Sequence, residues 1–216
     1  MPGIIEYFNR IIAKQKELDY YFLKILNAPA DILQVRDTEA RIGFKLNSEL
    51  IELYQFANGT DCYNGEPSGL TGLIPIHNFM CLEDAESYYK TNMDVNDSLK
   101  RDMGIDSFFN EERDFSPEEC LFPFLEDGAG NCYWIDLNQN TDNYGRIFWT
   151  NTFGEDPDYV FDSLNSMFRT ICDCYETGII NKDSEGHLHC DYRKWGEVAG
   201  KLNPESKDYW EKYLSN

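Results

Sequence analysis

Apolar positions at the start of the chain recur near a period of 3.6. Ile4, Phe8, Ile11, Leu18, Phe22 and Ile25 predict a helical opening, and Asn27-Ala28-Pro29 ends it, because a following proline disfavours helical backbone. A second helix is better marked. Asn47 is its predicted N-cap, with a side-chain oxygen able to accept from the free amides of the first turn. Leu46 and Ile51 then stand at the spacing of a hydrophobic staple. Leu50, Ile51, Leu53, Tyr54 and Ala57 make an apolar face, and Asn58-Gly59 is the predicted left-handed stop. The period then shortens. Leu70 to Phe79 reads as one or two strands, with Pro75 marking an edge or bulge. Leu82 to Tyr89 predicts a short helix. The acidic, weakly periodic stretch 91–119 is long for a structureless loop, so helical turns or an inserted lobe are expected there.

Three strands follow in close succession. Leu121 to Leu125 is apolar, Glu126 to Asn131 is a glycine-bearing turn, and Cys132 to Leu137 returns. On that return strand Tyr133, Ile135 and Leu137 share one face, and Cys132, Trp134 and Asp136 the other. A second polar turn, Asn138 to Gly145, leads to a strand over Arg146 to Thr150. Short turns between consecutive strands imply an antiparallel meander. Asp156 as cap and Pro157 at the first helical position then predict a long helix with Phe161, Leu164, Phe168, Ile171 and Tyr175 on one face, closed by Gly178. Asn203-Pro204 opens a last helix carrying Tyr209, Trp210, Tyr213 and Leu214. The expected class is α+β: an antiparallel β-sheet, N-terminal helices, and a long C-terminal helix packed on the sheet.

Aromatic residues make up 15% of the 216 positions, enough to bury a large core. No run reaches the ~18 apolar residues of a membrane span, and the N-terminus lacks a basic leader region. The seven cysteines are odd in number and mostly embedded in apolar runs, which fits free thiols and a cytoplasmic setting better than a disulfide framework. Charge is uneven. Of the formal net −20, residues 83–162 supply −15, from 20 acids against 5 bases. Such a field repels phosphate backbones, so direct nucleic-acid binding is disfavoured, and it attracts a basic partner. Charge alone is equally explained by solubility.

The ordered set Gly43-Phe44-Lys45-Leu46-Asn47 through Asn58-Gly59, then Phe122-Pro123-Phe124-Leu125-Glu126-Asp127-Gly128-Ala129-Gly130-Asn131-Cys132-Tyr133-Trp134-Ile135-Asp136-Leu137, then Asp162-Ser163-Leu164-Asn165-Ser166-Met167-Phe168, resembles the SUKH superfamily, which includes bacterial toxin-immunity proteins and fungal cell-wall-synthesis regulators. The likeness covers roughly residues 39–177 of what is expected to be a single domain, with 91–119 as an acidic insertion and 178–216 as an extension. The chain departs from the family pattern at Asn47, where proline is frequent. The resemblance implies a binding role: an immunity protein holding a polymorphic toxin, such as a nuclease with a basic active face, or a signalling scaffold.

His187-Leu188-His189-Cys190 is the most metal-like cluster, yet no Cys-x-x-Cys accompanies it, so exposed histidines on a short strand or turn are expected and no metal. Cys172-Asp173-Cys174 falls on a helix, where positions two apart do not share a face. No cysteine sits in a nucleophile turn. The turn at Asp127 lacks both the alternating ligands of a calcium loop and the Gly-Lys-Ser/Thr of a phosphate loop. No cofactor is implied. Candidate partner-binding residues are carboxylates around the two turns and the expected start of the long helix: Glu126, Asp127, Asp136, Asp142, Glu155, Asp156 and Asp158. Tyr209, Trp210 and Tyr213 are read first as a docking stripe and second as partner surface. An enzyme with a site assembled from distant residues is the remaining alternative.

Overall fold

A computed structural model describes residues 2–20, 24–61, 72–103, 120–150 and 158–215. Helix α1 (Ile4–Glu17) buries Ile4, Tyr7, Phe8, Ile11 and Gln15. It stops earlier than the periodicity predicts: Leu18 caps it, and Asp19 turns left-handed at φ 47°. Ile25 is still buried, but from irregular chain, so its helical spacing is coincidental, and Phe22 lies outside the described residues.

Helix α2 (Ile32–Ile42) was not legible from apolar spacing, because Ile32 and Leu33 face solvent. Its signal is at the end. Asp31 accepts from Leu33 N and Gln34 N, and the Gln34 side chain returns the bond to Asp31 N, a reciprocal capping box. In α3 (Ser48–Phe56) the predicted cap holds, with Asn47 Oδ1 accepting from Leu50 N at 2.9 Å. Gly59 is left-handed as predicted, at φ 68°, but the helix has already ended at extended Ala57. Gly59 answers to packing: a Cβ there would lie 2.3 Å from Cys81 N. Its neighbour Asn58 accepts from Leu82 N and so caps the next helix.

That helix, α4 (Leu82–Met103), is much longer than the Leu82–Tyr89 expectation and runs into the acidic stretch. Glu86, on its buried side, binds Arg41 Nε of α2 at 2.7 Å and Lys90 Nζ at 2.7 Å.

Strands β1 (Asn78–Phe79), β2 (Leu121–Glu126), β3 (Cys132–Asp136), β4 (Ile147–Thr150) and β5 (Asp158–Phe161) form an antiparallel sheet in that order. The expected meander is its centre. Pro123 is tolerated because β1 reaches only Leu125 and Glu126 and the β2–β3 register shifts between Pro123 and Leu125. The sheet is covered on both faces. Phe79 and Phe161 meet helical aromatics on one side: Phe8 and Tyr54 lie against Phe79, and Trp195 and Trp210 against Phe161. On the other side Trp134 packs 5.6 Å from Tyr88 of α4.

The predicted start of the long helix is corrected. Asp158–Phe161 is strand β5, paired with β4 through Ile147↔Phe161 and Phe148↔Tyr159. Helix α5 (Leu164–Glu176) begins later, at a Ser163/Ser166 capping box. The Asp-Pro signal was overridden because Tyr159, Val160 and Phe161 suit a pleated, buried edge better than a first helical turn. Gly178, at φ 72°, follows the helix as expected.

The rest of the chain forms a hairpin, β6 (Ile180–Lys182) with β7 (Leu188–Cys190), then α6 (Tyr192–Leu202), a short 3-10 turn (Pro204–Ser206) and α7 (Lys207–Ser215). Fully buried Asn203 fastens it to the body. Its Oδ1 accepts from Asp162 N, and its Nδ2 donates to Thr170 Oγ1 and Ala199 O. One hydrophobic cluster extends from Ile4 to Trp210. Among the described residues no helix is long and apolar enough to cross a membrane.

Candidate functional site

The sheet divides the predicted carboxylates between its two ends. Glu126 and Asp127 sit in the β2–β3 turn, at the end where Cys132 pairs with Thr150 and Trp149 with Asp158. Asp136 and Asp142 lie at the opposite end, around the β3–β4 turn. Glu155 and Asp156 lie outside the described residues.

Several of these carboxylates are engaged within the fold. Asp127 Oδ1 accepts from Ala129 N at 2.8 Å and Asn131 N at 3.0 Å, and its Oδ2 accepts from Asn131 Nδ2. Glu126 accepts from Gly128 N. Asp136 is buried; it accepts from the Tyr159 hydroxyl and from Asn138 N, so it is a structural anchor with no surface to offer. Asp142 and Asp158 are exposed.

A cavity of about 190 Å³ opens at the Asp127 end, and its walls come from three parts of the chain. Tyr133 of β3 and Trp149 of β4 are cross-strand neighbours with ring centroids 4.5 Å apart. His77, just before β1, lies 5.1 Å from Tyr133 and 5.3 Å from Trp149. Tyr192, Trp195 and Tyr213 close it from α6 and α7. Two large apolar side chains at this cavity, Ile76 and Tyr192, are each 53% exposed. Ile76 also has φ 63°, a left-handed conformation costly for a β-branched residue.

His77 is the one cavity residue with an unanswered polar atom among the described residues. Its Nδ1 lies 2.9 Å from Pro75 O, which can only accept, so Nδ1 carries the proton. Nε2 is then a bare acceptor, buried, with no hydrogen-bond partner among the described residues. Burial holds the imidazole below its ordinary value of 6.5, with the Pro75 bond and the charge of Asp127 opposing in part. The ring is therefore neutral at neutral pH.

Among the described residues, three cysteine thiols are shifted away from the thiolate a nucleophile needs. Burial pushes the Cys81 thiol up to about 11 and those of Cys172 and Cys190 to about 12. The metal-like cluster is separated by strand alternation: His189 is exposed, Cys190 is buried on the other face, and His187 lies in the turn beside Asp183. No group of three His, Cys, Asp or Glu gathers as a metal site among the described residues.

The segment 29–170, from just before α2 to the middle of α5, matches the SMI1 / KNR4 family (SUKH-1). The chain belongs to that family. A comparison with curated proteins returns no match. Membership in SUKH-1 supports an immunity-type or an SMI1/KNR4-type regulatory role, exercised by holding another protein, in a family that is generally non-catalytic. It also divides the cavity. His77, Tyr133 and Trp149 fall inside the SUKH-1 segment, whereas Tyr192, Trp195 and Tyr213 lie beyond it.

The aromatic stripe of the last helix was visible in sequence, as was the alternation of Tyr133 and Trp134 on β3. His77 was not, because a lone histidine between Ile76 and Asn78 carries no spacing signal. Only the fold reveals that Pro75 takes its one proton.

Proposed function

We propose that this SUKH-1 protein is a non-catalytic binding module that neutralises a basic toxin domain by covering its active face. The observation that carries this reading is the concentration of negative charge, −15 of −20, in residues 83–162 of a chain belonging to SUKH-1. A nuclease toxin must attract nucleic acid, so its working face is basic, and an acidic surface both speeds encounter and competes for it. Of the carboxylates predicted from sequence, Asp142 and Asp158 are the exposed members, with Glu126 and Asp127 half-buried in their turn.

The test is purification from the native host, identification of the co-purifying protein, and titration of the two purified proteins. A stoichiometric complex that abolishes the partner's toxicity supports the reading. Affinity should fall steeply between about 0.1 M and about 1 M salt, where the screening length drops from ~10 to ~3 Å. A partner with no toxic activity would identify a regulatory scaffold instead. Salt-independent affinity would remove the electrostatic basis.

A further inference from the structure

We infer that the aromatic cavity between the sheet and helices α6 and α7 is a receptor for one arginine side chain of the partner protein. This deepens the protein-binding reading and rests on it for the macromolecule that carries the arginine.

Four features of the cavity converge on that side chain. Its size comes first: about 190 Å³ is far more than the roughly 10–15 Å³ that one water needs, so a side chain can enter. Its walls come second. Tyr133, Trp149, Tyr192, Trp195 and Tyr213 are among the lining residues, and an aromatic ring attracts a cation over its face. Third is the acceptor. His77, a wall residue, has its Nε2 covered and carrying a lone pair with no donor to fill it among the described residues, so a guest that displaces the side chains over it is rewarded for bringing an N–H or O–H. Fourth is charge. Asp127 lies close enough to act electrostatically on His77, and the chain as a whole is strongly acidic. An anionic guest meets the wrong field, and a neutral apolar guest leaves Nε2 unanswered. A trimethylated ammonium has the charge but no donor. Guanidinium is planar, weakly hydrated, always charged and rich in donors, and so satisfies all four.

The test uses the full chain and three capped tripeptides: Gly-Arg-Gly, the same peptide with uncharged citrulline, and the same peptide with trimethyllysine. Three of the four tryptophans, Trp149, Trp195 and Trp210, line the cavity, so intrinsic fluorescence reports occupancy directly. Saturable change with the arginine peptide, and at least about tenfold weaker binding of both the citrulline and trimethyllysine peptides, is expected. Tyr192→Ala removes an exposed wall with little risk to folding and should weaken the arginine peptide several-fold. His77→Leu, checked for a cooperative melt, should abolish the preference for arginine over trimethyllysine. If that variant does not fold, the trimethyllysine comparison on the unaltered protein decides the same point. Equal response to arginine and citrulline, or no saturable response, overturns the inference. If a partner co-purifies while the arginine peptide does not bind, the cavity assignment falls and the protein-binding reading stands. If the peptide binds as described but no partner is held, the reverse is true.

Discussion

Neighbouring residues of β3 point into two environments of different character. Trp134 is fully buried, and its indole Nε1 donates to Thr150 Oγ1 at 2.9 Å. On the same face Asp136 is anchored by the Tyr159 hydroxyl and Asn138 N. That face is closed, and the polar groups of these two side chains are matched. Tyr133, one residue away, looks into a half-open aromatic hollow where His77 keeps a buried lone pair unmatched among the described residues. A single strand therefore serves folding with one set of side chains and leaves the other available for recognition. The lesson is where to look for function in such a sheet: where a buried acceptor without a donor lies beside an open hollow.

The contrast can be broken most severely at Trp134. Trp134→Ala should lower unfolding free energy by about 3–5 kcal/mol, read from denaturant midpoints, because both the packing and the Thr150 bond are lost. Next is Tyr159→Phe. It leaves the buried Asp136 carboxylate one donor short and should cost about 1–3 kcal/mol in the same measurement. A smaller, pH-dependent effect belongs to the open face. The native His77 value lies below 6.5, so above that pH the ring is neutral in both folded and unfolded chains and contributes nothing to pH dependence. As pH falls below about 6.5 the unfolded chain takes up the proton first, and stability falls until the native ring is protonated too. The slope from this one group cannot exceed about 1.4 kcal/mol per pH unit. Subtracting the stability profile of His77→Leu from that of the unaltered protein should isolate it; identical slopes below pH 6.5 would show that the ring is not held neutral. Smallest of all, Tyr192→Ala should shift stability by no more than about 0.5 kcal/mol, since the side chain is 53% exposed. A cost as large as that at Trp134 would erase the distinction between the two faces.

How much of this was legible beforehand depends on the range of the forces involved. Asn47 and Gly178 could be placed because capping is local. The meander was legible because short turns leave antiparallel pairing as the simple outcome. Helix α2 was hidden because two of its apolar residues, Ile32 and Leu33, point outward, while polar Thr38 and Glu39 share the buried side with Val35 and Ile42. The Asp-Pro signal misled because pairing of β5 with β4, a tertiary contact, outweighed a local helix start. Among the candidate acids, sequence identified the turn of Asp127 but could not reveal that Asp136 is buried, since strand alternation gives the face of a residue and not what covers it. The cavity depends on chain segments more than a hundred residues apart, from His77 to Tyr213, and no local pattern encodes such a meeting.

Asn203 gives the division of the cavity a mechanical meaning. One buried amide clamps the backbone ahead of α5, the middle of α5 and the end of α6 together. The outer jaw of the hollow is thereby bolted to the inner one at a point remote from the opening. Exchanging the residues that tip α6 and α7 would reshape the bite without loosening the bolt, so the shape of the hollow and the hold of the scaffold are separable.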